Sequence, residues 1–166
     1  MSVKALISEI HSLKNPEKIK IYQGFFKTGK GEYGEGDVFL GLTVPQTRGL
    51  VKKYAPEMTL DDIDILLADK HHEARLAGVL ILVYFVQKKK YPLSELARFY
   101  MQHVSGINNW DLIDTSSEHI IGPYIQNELS HEERVDFITK CIASSNLWIN
   151  RIIILASFHQ IKQGNG

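Results

Sequence analysis

Apolar residues recur at helical spacing along almost the whole chain. Val3, Leu6, Ile7, Ile10 and Leu13 share one face of a first helix. Asn15-Pro16 ends it and opens a second, because proline suits a first helical turn. Ile19, Tyr22, Phe25 and Phe26 form the apolar stripe of that second helix. The period is lost between Thr28 and Thr43, where Gly29, Gly31, Gly34, Gly36 and Gly41 crowd together. Val38–Leu42 (VFLGL) is the one strand-like run. Pro45 opens a third helix through Leu50, Val51 and Tyr54. Thr59 caps a short helix whose first turn holds Asp61 and Asp62, placed to favour the positive end of its dipole. A strongly apolar helix is predicted from His71 to Gln87 and another from Pro92 to Val104. Ser130 with Glu133 makes a capping box before Val135, Phe137, Ile138 and Ile142, and a last helix covers Leu147 to Lys162.

The helices come in pairs, and the pairs repeat. Trp110 and Trp148 lie 38 residues apart, and the same step back from Trp110 reaches His72, at the start of the apolar helix. Leu76 and Ile152 then correspond, with Asp114 between them in the middle copy. A step of this size is near that of HEAT-type helical pairs, which bury their apolar faces by stacking on neighbours. Asp114 stands where the flanking copies pack an aliphatic side chain. Either that helix is rotated, or the carboxylate lines a groove.

The length of 166 residues suits a single domain, expected over residues 1–166. Lys and Arg balance Asp and Glu at 19 each, so no global field draws in polyanions. The charge is unevenly spread: residues 1–56 hold nine basic against five acidic side chains, and residues 106–166 hold four against seven. Any phosphate contacts are therefore expected mainly from the first half, with Lys27, Lys30, Arg48, Lys52 and Lys53 as candidates. The single cysteine, Cys141, excludes an internal disulfide framework and a multi-cysteine zinc site, and its apolar neighbours place it in the core. The N-terminal residues mix charges into their apolar positions, unlike a secretory signal. The longest apolar run, Ala77 to Val86, is too short to span a bilayer. A soluble, cytoplasmic protein with no membrane partner is the expectation.

Gly24 to Gly31 nearly matches a phosphate-binding P-loop, but Gly31 stands where the motif needs Ser or Thr, and the glycines follow a helix rather than a strand. A structured loop closed by a turn at Gly34–Asp37 is the better reading. His71, His72 and Glu73 lack the second histidine of a helical zinc site and read as a solvated helix start. Lys88, Lys89 and Lys90 follow an apolar helix and favour its negative end, which needs no partner. The segment Asn108 to Asp114 differs: Trp110 and Asp114, four residues apart, share one helix face. An indole beside a fixed carboxylate suits a flat cation or a positively charged transition state.

Three segments resemble the AlkD-like DNA alkylation repair glycosylases: Phe26 to Gly41 with Val44-Pro45, Asn109-Trp-Asp-Leu-Ile-Asp114, and Asn146-Leu-Trp-Ile-Asn-Arg-Ile152. The resemblance implies an all-α fold, a HEAT-like α-α superhelix of stacked antiparallel helix pairs with a DNA-holding face. It also implies excision of cationic N3- or N7-alkylated purines from double-stranded DNA, without metal or cofactor. Carried across, the family's essential aspartate matches Asp114 and its tryptophan matches Trp110. The family's usual pattern near the last segment is Trp, any residue, Arg, Arg, whereas this chain reads Trp148-Ile149-Asn150-Arg151. Either the DNA-contacting arginine corresponds to Arg151, or it corresponds to position 150 and phosphate contact is weakened here. Family members continue with further helices, so this chain is expected to lack the C-terminal repeats. Its last helix should then expose an apolar face through which copies could self-associate. The competing expectation is a non-catalytic HEAT-repeat scaffold or DNA-structure binder, favoured by the neutral charge and Asn150.

Overall fold

The computed structural model describes residues 2–162 and 164. It is all-α, with ten α-helices and no strand among the described residues. The chain forms two compact units, Met1–Ile81 and Leu82–Gly166.

The first unit contains α1 (Val3–Ser12), α2 (Pro16–Phe25), α3 (Val44–Tyr54), α4 (Leu60–Leu67) and the first turns of α5 (His72–Lys88). The cap predicted at Thr59 forms, and Asn15 at the predicted boundary adds another. Asn15 accepts from the amides of Glu17 and Lys18, and Thr59 pairs with Asp62 in a capping box. Thr43 and Gln46 make a further box ahead of Pro45. Helix α1 packs on α3 and α4, with Leu6, Ile10, Met58, Ile63 and Leu66 fully buried. Helix α2 is thinner than its sequence suggests: Phe26 is buried just beyond its end, while Phe25 and Ile21 face solvent.

The glycine-rich stretch is a fastened loop. Its VFLGL run forms no strand, and Val38 makes an isolated bridge to His71. The amides of Leu40, Gly41 and Leu42 donate to the carboxylate of Glu73 at 2.7–3.2 Å. Asp37 accepts from Arg75 and bonds His72 Nδ1, whose ring stacks on Phe39. Gly41 is required here: its φ is +88°, and a Cβ would lie 2.4 Å from the Asn15 carbonyl oxygen. The His71-His72-Glu73 segment is therefore not a solvated helix start. All three residues are buried, because the loop folds over the beginning of α5 and its amides need an acceptor there.

The second unit contains the last turns of α5, then α6 (Leu93–Gln102), α7 (Trp110–Asp114), α8 (Ser117–Asn127), α9 (His131–Ile142) and α10 (Leu147–Lys162). Helix α8 packs between α6 and α10, and α9 lies on α10. This stacking of helix pairs is what the 38-residue step predicts. Ser130 and Glu133 form their capping box, and Cys141 is buried, which pushes its thiol pKa up. Ile142, Leu147, Ile154 and Ile161 stay exposed on α9 and α10. Among the described residues, no helix is long and apolar enough to cross a membrane.

Candidate active site

The Trp110–Asp114 segment owes its position to the asparagine before it. Asn109 is fully buried, and its side-chain oxygen accepts from the Trp110 amide at 2.8 Å, capping α7. Helix α7 is only five residues long and ends on Asp114. The next two side chains turn back on the helix: Thr115 Oγ1 donates to the Asp111 carbonyl at 2.8 Å and Ser116 Oγ to the Leu112 carbonyl at 2.5 Å. Such bonds compete with helix continuation. The chain breaks and restarts as α8. Neither a smooth helix nor a rotated one explains why the middle repeat has a carboxylate in place of Leu76 and Ile152. Asp114 is the last residue of a short, separate helix.

Two contacts draw α10 up to this break. Ser117 Oγ donates to the Ile152 carbonyl at 2.7 Å. Gly122 lets the helices close, since a Cβ there would stand 2.4 Å from the His159 Cβ. Arg151 consequently meets Asp114 with both ends of its fork: Nε to Oδ1 and Nη2 to Oδ2, each at 2.7 Å. The pair is neither buried nor free, with Asp114 33% and Arg151 38% exposed at the side chain. The carboxylate's hydrogen bonds raise the guanidinium pKa above its ordinary value. Trp110, half-buried, opens the same short helix. Beneath lies Tyr100, fully buried, its hydroxyl 2.7 Å from Ser116 Oγ. Burial raises the tyrosine pKa most, the Ser116 bond lowers it and the Asp114 charge raises it further. Tyr100 stays a neutral support for the break.

Asn150 turns away from this pair, its amide donating to the Ser144 carbonyl at 3.1 Å. Of the two neighbouring positions, 151 is the one that reaches Asp114.

In the first unit, Lys27, Lys30 and Arg48 are all exposed. Lys27 has a left-handed backbone just beyond α2, and Lys30 sits at the loop tip. Lys53 is occupied: Glu9 accepts from its Nζ and from the Tyr54 hydroxyl, both at 2.6 Å. Sequence reasoning gave no role to Asn109, Ser116 or Tyr100. A cap signal was available for Asn109, an asparagine directly before the apolar helical positions; the other two become visible only through tertiary contact. Among the described residues, no group of three His, Cys, Asp or Glu side chains is placed to hold a metal ion.

A family model described as DNA alkylation repair enzyme matches residues 6–165. No curated protein matches the chain.

Proposed function

Because the chain belongs to the DNA alkylation repair enzyme family, we propose that it is a DNA glycosylase that releases cationic N3- or N7-alkylated purines from duplex DNA. The supporting observation is the half-exposed Asp114 carboxylate, closing the short helix that Trp110 opens and clasped by Arg151.

An alkylated purine carries a positive charge and leaves readily. The bond from its ring nitrogen to C1′ breaks, and the electron pair stays with the base, which departs neutral. Positive charge develops on the deoxyribose. A carboxylate within about 3–4 Å of that carbon stabilises the charge by several kcal/mol in a partly dry site. Asp114 supplies it. The same carboxylate orients a water and accepts its proton as the oxygen bonds to C1′. Trp110 packs against the lesion nucleotide and excludes solvent. Arg151 holds Asp114 with Nε and Nη2, which leaves Nη1 for a phosphate oxygen. Lys27, Lys30 and Arg48 contribute phosphate contacts from the first unit. The chemistry asks for no metal or cofactor, and selectivity follows from the charge of the base.

The test is release of 7-methylguanine from methylated duplex. Asp114→Asn should lower the single-turnover rate by orders of magnitude while duplex binding survives. An unchanged rate removes Asp114 from the reaction, and no release by the wild-type protein removes the glycosylase reading.

A further inference from the structure

Among the described residues, two non-glycine residues have a left-handed backbone, and both are lysines: Lys27 (φ 53°) and Lys89 (φ 51°). Lys89 directly follows α5, and Lys27 follows Phe26, the C-cap of α2; just past a helix end glycine is the usual residue. The turn at Lys89 is closed by two backbone bonds, from the Lys89 amide to the Val86 carbonyl at 3.1 Å and from the Lys90 amide to the Phe85 carbonyl at 3.0 Å. The turn at Lys27 has the same reach, from the Thr28 amide to the Gln23 carbonyl at 3.3 Å. Glycine would make these bonds without the crowding that a Cβ suffers at positive φ. The helix dipole accounts for a cation in the last turn, and Lys88 already provides one there. It does not account for a lysine at the left-handed position itself.

Several cations of the second unit are engaged by other groups, while Arg98 on α6 is exposed. Arg151 gives Nε and Nη2 to Asp114 and has only Nη1 left for a phosphate, Lys140 pairs with Asp136 and Lys162 with Glu118, and Arg134 donates to the Gln126 carbonyl. Lys89 is exposed, has no ion-pair partner among the described residues, and sits between Lys88 and Lys90. A cleft of about 620 Å³ beside it also carries Glu128, so an anion belongs at the exposed lysine tips rather than inside the cleft.

We propose that Lys89, at the centre of the Lys88–Lys90 knuckle, is a phosphate contact for the DNA backbone in the second unit, and that its charge is what a lysine supplies at a left-handed position where glycine would sit without strain. The proposal rests on the family's action on DNA and not on Asp114 chemistry. It is tested with undamaged duplex, for which no base need leave. Binding is measured across a range of salt concentrations for the wild type, Lys89→Gln and Lys89→Gly, and each protein is melted.

Loss of one phosphate contact should lower the slope of log affinity against log salt by about 0.9, which is roughly an eightfold loss of affinity near about 0.1 M salt. Both variants should show it. The glycine variant alone should also melt higher, by about 2–4 °C. A salt slope unchanged in both variants overturns the proposal while leaving the glycosylase reading intact. So does weakened binding in the glycine variant alone, which would make the effect one of backbone and not of charge. A glycine variant no more stable than wild type removes the strain on which the argument stands and overturns it too. A wild-type protein that does not bind duplex overturns both readings. Absence of 7-methylguanine release with a normal slope effect overturns only the glycosylase.

Discussion

Glu73→Gln removes one charge from the best-connected carboxylate of the first unit. Glu73 is 2% exposed, and three consecutive amides point at it: Leu40 bonds both oxygens, Gly41 and Leu42 bond Oε1. A glutamine oxygen at the Oε1 position could keep Gly41 and Leu42. Its NH2 group would then face the Leu40 N–H, donor against donor. One charge-assisted bond is lost, about 1.5–3 kcal/mol, and a buried N–H loses its best acceptor, about 1–3 kcal/mol. Against this, the neutral side chain escapes the desolvation penalty of a buried anion. The net destabilisation should be about 2–4 kcal/mol. For a chain of this size that corresponds to a fall in melting temperature of about 4–16 °C. Thermal unfolding followed by circular dichroism measures it. Limited proteolysis should meanwhile show earlier cleavage between residues 28 and 43. A melting temperature within about 1 °C of wild type, with an equally protected loop, would refute the view that this carboxylate fastens the loop.

Two further outcomes follow from the packing and the surface charges. Gly122→Ala should destabilise the second unit by about 1–3 kcal/mol, because its Cβ would meet His159 Cβ at 2.4 Å and the Ala156 carbonyl oxygen at 3.0 Å; urea unfolding reads the loss. It should also slow base release, since the same close approach of α8 and α10 brings Arg151 to Asp114. Glu9 has its pKa lowered, first by the hydrogen bond from Lys53 and then by that from Tyr54. A carboxylate depressed in the folded state stabilises the fold above its unfolded pKa, and the contribution fades as the pH falls through the folded value. Glu9→Gln should therefore melt below wild type at neutral pH and converge with it in acid; a gap that persists at pH 2 would contradict the assignment.

Much of this molecule is legible one residue at a time. The caps at Thr59 and Ser130 follow from local chemistry and form as expected, and Asn15, legible only as a helix boundary, caps α2 as well. Trp110 and Asp114 fall on one helix because their spacing requires it. The 38-residue step exposes Asp114 as the odd member of a repeated position, but it cannot show that the helix breaks there, since the break depends on two hydroxyls turning back on carbonyls. Nor does spacing pair Asp114 with Arg151 in a bidentate contact. That contact depends on how closely α10 approaches α8, which Gly122 governs. His72 and Glu73 mislead for a related reason. Polar residues in a first helical turn are ordinarily hydrated, and only the docking of a loop some thirty residues upstream turns them into buried anchors. Phe25 is misplaced because period alone assigns faces, and α2 has too little packed against it to use all of its own.

The clasp between Asp114 and Arg151 has a consequence for how the molecule is met from a distance. A solitary carboxylate in an acidic stretch would push the sugar–phosphate chain away during encounter. Locked to a guanidinium, it leaves only a dipole, whose field dies within a few ångströms of the surface and well inside the screening length of about 10 Å at 0.1 M salt. Approaching DNA therefore feels little repulsion from the residue proposed to act on it. The negative charge makes itself known only to what has already arrived.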